Sequence, residues 1–318
     1  MARFLLRRTL MSVPLLFGIT VIIFVLANLM PGDAVSAMMT DEATLSESVM
    51  EMQRARLGLD KPLAVRYFLW MGKLLRGNMG YSFVSGRHIN QIIGERILPT
   101  LELMGISLIF SLIIGVTLGI ISAIKQYSVL DYVVTVLGFA GISMPVFFVG
   151  MLLMYLFALK LRWLPSSGMA TPGEPFSLGD NLRHLILPGL AIGILRVATF
   201  MRYTRASMLD VLRSDYLVTA RAKGLRERIV LMRHALRNAL IPIITVVGLT
   251  LPALLAGAVF IETIFQWPGM GRLFITAVTY RDYPTIMGVA LLTSVMVLFS
   301  NLLVDVTYAL VDPRIRYE

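Results

Sequence analysis

The sequence contains no cysteine, only three histidines and few charged residues: Asp, Glu, Lys and Arg together make up 15% of 318 positions. Absent cysteine excludes disulfides, thiolate metal sites and thiol catalysis, and by itself says nothing about compartment. His88, His184 and His234 lie far apart and have no partner at ligand spacing. A zinc helix of the His-Glu-x-x-His type is missing, as are a Gly-rich phosphate loop ending in Lys and Ser or Thr and a pair of aspartates within an apolar run. The chain therefore offers no catalytic centre, no cofactor site and no metal site of its own. What it has in excess is apolar character: 57% of residues belong to the set AVILMFWYC, against an apolar share of roughly 45–50%, glycine included, in soluble domains.

A helix needs about 20 largely apolar residues to cross a hydrocarbon core of ~30 Å. Six stretches approach that length, at 9–30, 100–124, 132–159, 185–201, 239–264 and 284–304. The first follows Arg3, Arg7 and Arg8 and resembles a signal peptide, with small residues at Val35-Ser36-Ala37, but its apolar run is longer than the usual 7–15 residues, so it reads as an uncleaved span. The fourth is the shortest and contains Arg196. The fold class is accordingly all-α, a polytopic membrane protein of six transmembrane helices with a small helical extracytoplasmic insertion between spans one and two. Four segments result: 1–30, the N-terminus and first span; 31–99, the insertion; 100–311, a five-helix core whose cytoplasmic connection is 202–238; and 312–318, a tail.

The formal charge of +10 fits membrane topology better than nucleic acid, because the basic residues flank apolar runs. Three lie at the N-terminus, one at Lys125, nine between Arg202 and Arg237, and two at Arg314 and Arg316. The short connections that would face the other side, 160–184 and 265–283, hold five. Under the positive-inside rule both termini are cytoplasmic. Polar groups at depth are expensive. Of Asn28, Arg196, Glu262 and Asp305, all but Arg196 sit near span ends; Arg196 either snorkels to the cytoplasmic face or lines a solute path. Pro145, Pro242 and Pro252, with Gly248 and Gly257, remove backbone bonds or let helices approach closely, as ordinary bundle packing or as kinks that shape a pathway.

The fourth connection is the most informative stretch: Asp215-Tyr216, then Thr219-Ala220-Arg221-Ala222-Lys223-Gly224-Leu225, then His234-Ala235-Leu236-Arg237-Asn238-Ala239-Leu240-Ile241-Pro242. Its alanines favour a short helix, and Gly224 would end it in the left-handed conformation that glycine adopts cheaply. The segment resembles the coupling motif of ABC importer permease subunits, in the dipeptide and oligopeptide permease family. Val218 and Thr219 stand where the general pattern has Glu and its first Ala, and His234 where Ile is usual; both departures are typical of the peptide branch. Similar strings run in the expected order through Pro31-Gly32-Asp33, 57–63, 77–82, 262–272 and 312–316, and the long outer segment suggests the B-type permease.

The resemblance implies alternating access in the bacterial or archaeal cytoplasmic membrane. Implied partners are a second homologous permease subunit, two cytoplasmic ATPase subunits that bind ATP and Mg, an extracytoplasmic solute-binding protein and membrane lipid, with no nucleic acid. Asp215, Tyr216, Thr219, Ala220, Arg221, Ala222, Lys223 and Gly224 would couple to the ATPases. Trp267, Pro268 and Gly269, in an outer turn, either contact the binding protein or gate the entrance, or merely pack as a turn; Arg196 belongs to the same pathway expectation. Di- or oligopeptides are the implied cargo, with nickel, glutathione or oligosaccharides as alternatives and an ion-coupled secondary transporter as a rival mechanism.

Overall fold

The computed structural model describes residues 2–30 and 60–311. Among these, the chain is helical except for connections and one isolated antiparallel bridge between Tyr81 and His88. The helices are α1 (Ala2–Leu29), α2 (Leu63–Leu75), α3 (Ile89–Ile124), α4 (Val129–Ser143), α5 (Val146–Lys160), α6 (Leu178–Leu212), α7 (Asp215–Ala222), α8 (Glu227–Ala239), α9 (Ile241–Ile264), α10 (Met270–Thr279) and α11 (Tyr283–Val311). Residues 31–59 of the outer segment, with the Pro31-Gly32-Asp33 and Leu57-Gly58-Leu59 strings, and the tail at 312–318 lie outside the described residues.

Among the described residues, four helices are individually long and apolar enough to cross a membrane: α1, α3, α6 and α11. Counting each of two bent pairs, α4 with α5 and α8 with α9, as one span raises the number to six. The third expected span is thus two helices that turn by 107°. Pro145 is the cause. It has no N–H to continue the helix, and its ring pushes the preceding residue out of the helical region; Met144 is extended at φ −88°, ψ 134°. The fourth span, expected over 17 residues, is part of a 35-residue helix, about 52 Å long at 1.5 Å per residue. Its polar ends, too charged to be read as membrane, carry the helix beyond a ~30 Å core.

The described residues divide into two compact units, 101–267 with 300–311 and 2–30 with 60–100 and 268–299. In the first, α3 and α6 pack along a seam of glycines. A Cβ on Gly115 would lie 2.7 Å from Phe200 Cβ and 2.8 Å from the Val197 carbonyl oxygen; on Gly119, 2.6 Å from Thr204 Cβ and 2.7 Å from the Met201 carbonyl oxygen. Gly193 approaches Phe110 in the same way, 2.6 Å from its Cδ1. Small residues at four-residue spacing let backbones meet where lipid gives no hydrophobic push. Gly248 likewise admits Val304, at 2.7 Å, between α9 and α11; the side-chain surroundings at Pro252 and Gly257 lie outside the described residues.

In the second unit Tyr67 of α2 packs edge-on against Phe24 of α1 and shares a 2.9 Å hydrogen bond with Thr20. Asp282 fixes the bridge-bearing hairpin. Its carboxylate accepts from the Ser82 hydroxyl at 2.5 Å, the Phe83 N–H at 3.0 Å and the Thr285 hydroxyl at 2.8 Å, so this buried charge is fully engaged by donors.

Candidate functional site

The short helix expected after residue 214 forms as α7, and its two faces differ. Leu217 and Ala220 are buried in a cluster with Ala123 of α3, Met208 of α6, and Val230, Ala235 and Ala239 of α8. These apolar contacts seat α7 on the ends of three other helices. Asp215, Tyr216, Val218, Thr219, Arg221, Ala222, Lys223 and Gly224 are exposed, with Val218 at 58% accessibility in spite of its apolar side chain. Ala220 thus turns away from the outer face: its methyl group faces Leu217's neighbours, so its contribution is to the seating of α7, while the eight exposed residues form the presented surface.

The end of α7 is closed by a Schellman turn. The Gly224 N–H donates to the Arg221 carbonyl at 2.9 Å and the Leu225 N–H to the Ala220 carbonyl at 3.4 Å, with Gly224 at φ +76°. That pairing satisfies two carbonyls the last turn would leave open, and the positive φ favours glycine. Beyond the turn Arg221 donates to both carboxylate oxygens of Glu227, at 3.1 and 2.9 Å. The hydrogen bond raises the Arg221 guanidinium above its ordinary pKa and holds the Glu227 carboxyl below the usual range. Asn238 Nδ2 donates to the Tyr216 hydroxyl at 2.9 Å, tying α8 to the start of α7. The corner is strongly basic, with nine Lys and Arg against Asp210, Asp215 and Glu227 between positions 202 and 238.

The remaining expected positions are scattered. Trp267 is fully buried, at 0% accessibility, so it is not displayed at an entrance as the gating or docking expectation requires. Burial of so large an apolar ring is favourable in itself, and at this position the side chain is packed inside the chain. Gly269 caps α10, whose first N–H, on Met270, donates to the Thr100 hydroxyl at 2.8 Å. Arg196 sits near the middle of α6, half-buried, and its guanidinium makes no hydrogen bond or ion pair among the described residues. Asn28 bonds back to the Phe24 carbonyl at 2.7 Å, and Glu262 is buried and engaged.

Two features escaped the sequence reading. The Gly115-x-x-x-Gly119 spacing was there to be seen and marks the α3 face that meets α6. The ion pair between Asp131 and Arg205 carried only a weak local sign, a Ser128 N-cap three residues before an aspartate: Ser128 Oγ accepts from the Asp131 N–H at 3.2 Å.

Comparison with known proteins shows the family. Residues 115–317 match the family described as binding-protein-dependent transport system inner membrane component, and residues 1–104 match its N-terminal membrane component. A peptide permease protein of Brucella suis biovar 1 is 46% identical over 317 residues, covering 99% of both chains. The oligopeptide transport system permease protein AppB of Bacillus subtilis is 42% identical over 318 residues, covering 100% of both. Among solved structures, an inward-facing methionine ABC transporter, MetNI, superposes with a TM-score of 0.53 at 14% identity, over 70% of this chain and 97% of that one; at that identity the likeness speaks for the fold.

Proposed function

Because the chain belongs to the family of binding-protein-dependent transport system inner membrane components and is thereby a permease subunit of an ABC importer, we propose that α7 is its coupling helix. On this reading the exposed face of α7 seats in a groove on a cytoplasmic ATPase subunit, and closure of the ATPase pair moves the helix ends beneath it. The observation that carries the reading is the contrast within α7: Leu217 and Ala220 root it in the bundle, while Tyr216, Val218 and Gly224 stand in solvent. An apolar Val218 exposed beside a closed helix end is what a docking helix presents.

ATP and Mg would be bound by those partner subunits, and a second permease subunit would complete the pathway in an alternating-access cycle. The basic residues support an orientation in which α7, both chain termini and the residues from Arg202 to Arg237 would face the cytoplasm, with the binding protein docking on the opposite side. Lipid covers the outward apolar faces of the spans.

The cargo proposed is di- or oligopeptides, supported by the names of the Brucella and Bacillus relatives. Arg196 would lie on the solute path, where a half-buried cation with no carboxylate partner among the described residues keeps contact with water. Cross-linking from Val218→Cys in the assembled transporter tests the docking: capture of an ATPase subunit supports it, and a label that reaches only solvent or lipid defeats it. Measuring which solutes the cognate binding protein retains separates peptides from nickel, glutathione or oligosaccharides. Uptake by the isolated chain under an ion gradient, with no ATP, would instead establish the ion-coupled rival.

A further inference from the structure

Asp131, in the first turn of α4, is buried at 3% accessibility, and every donor that satisfies it comes from a different part of one corner. Arg205 of α6 donates from Nε to Oδ1 and from Nη2 to Oδ2, each at 2.8 Å. The Ser122 hydroxyl, at the end of α3, donates to Oδ1, and the Tyr127 N–H, in the connecting turn, donates to Oδ2 at 3.0 Å. Arg205 Nε also reaches Ser122 Oγ at 3.1 Å. Tyr127 itself is held at φ +63°, a conformation that a side chain disfavours; the Asp131 carboxylate holds the turn that contains it.

The same stretches of α3 and α6 form the floor under α7. Ala123 follows Ser122, and Met208 lies one turn beyond Arg205; both belong to the cluster that buries Leu217 and Ala220. No described side chain of α4 belongs to that cluster. At this end of the bundle, then, α7 rests on α3, α6 and α8 through apolar contacts, and α4, which packs on α6 further along where Gly138 meets Met201 and Ala198, is tied to α3 and α6 through one carboxylate. Apolar surfaces tolerate sliding, whereas a bidentate guanidinium–carboxylate pair fixes both distance and orientation. Twelve residues further along, α4 ends at the break before Pro145.

We propose that the Asp131–Arg205 pair, with Ser122, is the positioning joint that carries a displacement of α7 into α4 and on to the break at Pro145. The proposal rests on the docking role of α7. To the packing of α4 on α6 the pair adds a directional contact of fixed distance and orientation at the end of α4 nearest α7.

The test uses the assembled transporter in proteoliposomes, with solute import and ATP hydrolysis measured on the same vesicles for wild type, Arg205→Gln, Arg205→Lys and Asp131→Asn. Arg205→Gln is expected to keep ATP hydrolysis stimulated by the loaded binding protein while the solute imported per ATP falls by about tenfold. Arg205→Lys, which keeps the charge but loses the fork, should lie between. Asp131→Asn, nearly isosteric, should reproduce the Gln phenotype and guards against a folding defect in one variant. An unchanged solute-to-ATP ratio in all three overturns the proposal, as does a parallel fall of both activities in proportion to assembled complex, which is the signature of a merely structural pair. Cross-linking from Val218→Cys to the ATPase subunit, run in each background, keeps the two ideas apart: its absence in the otherwise unaltered chain defeats the docking role, while its persistence in Arg205→Gln with a normal ratio defeats only the joint.

Discussion

Replacing Gly224 by valine isolates the conformational demand at the end of α7. A Cβ at this position would meet nothing within 4 Å, so no clash contributes and the whole effect comes from the backbone. Gly224 stands at φ +76°, where an L-residue loses about 1–2 kcal/mol relative to its preferred regions, and a β-branched side chain is still less at home. Substituting glycine also stabilises by about 0.4–1 kcal/mol when the backbone can accommodate the new side chain, but at a positive φ it cannot, and the strain wins. A loss of 1–2 kcal/mol lowers the ratio of capped to uncapped turn by about 5- to 30-fold. The hydrogen bonds from the Gly224 and Leu225 N–H groups to the Arg221 and Ala220 carbonyls would be the first to open. In reconstituted transporter, Gly224→Val should therefore cut import and blunt the stimulation of ATP hydrolysis by loaded binding protein, with Gly224→Asn close to wild type because asparagine tolerates this region, and Gly224→Ala between them. Hydrogen exchange at residues 224 and 225 gives a readout independent of partners and should speed in the same order. Wild-type import and slow exchange in the valine variant would refute the reasoning, as would alanine and valine behaving identically to asparagine.

Other perturbations address the scaffold. Gly119→Leu forces a side chain into Thr204 and the Met201 carbonyl and should destabilise the purified chain by about 1–3 kcal/mol, seen as a lower thermal midpoint in detergent. Asp282→Ala strands the donors of Ser82, Phe83 and Thr285; each unsatisfied buried group costs about 1–3 kcal/mol, and proteolysis or hydrogen exchange in residues 77–88 should quicken, less so for Asp282→Asn. Because the chain has no native cysteine, Trp267→Cys gives a single thiol that should resist a maleimide until the protein is denatured, whereas Tyr280→Cys, at a position 58% exposed, should label at once.

The parts of the fold that the sequence made legible are those written locally. Apolar runs announced the spans, Pro145 announced lost backbone bonds within the third though not a turn of 107°, and alanines followed by Gly224 announced α7 and its end. Lengths were less readable, since α6 continues into charged sequence at both ends once α3 and α8 support it. Contacts between distant positions left almost no local trace: Ser82 meets Asp282 across 200 residues, and Arg205 meets Asp131 across 74. Trp267 shows the same limit in reverse. A Trp-Pro-Gly turn between spans looks like an exposed tip when only its neighbours in sequence are considered, and its burial depends on packing that those neighbours do not encode.

The glycine seam between α3 and α6 has a genetic corollary. A tight fit between two side chains can be relieved by a compensating change in either partner, so such sites can drift together. At Gly115 and Gly119 one of the nearest obstacles is a carbonyl oxygen, of Val197 and Met201 respectively, and no codon change removes a carbonyl. Second-site suppressors of a bulky replacement there would have to arise elsewhere, by letting the whole of α6 shift, which makes these two positions poor choices for library diversification and sensitive reporters of any screen that selects for altered helix placement.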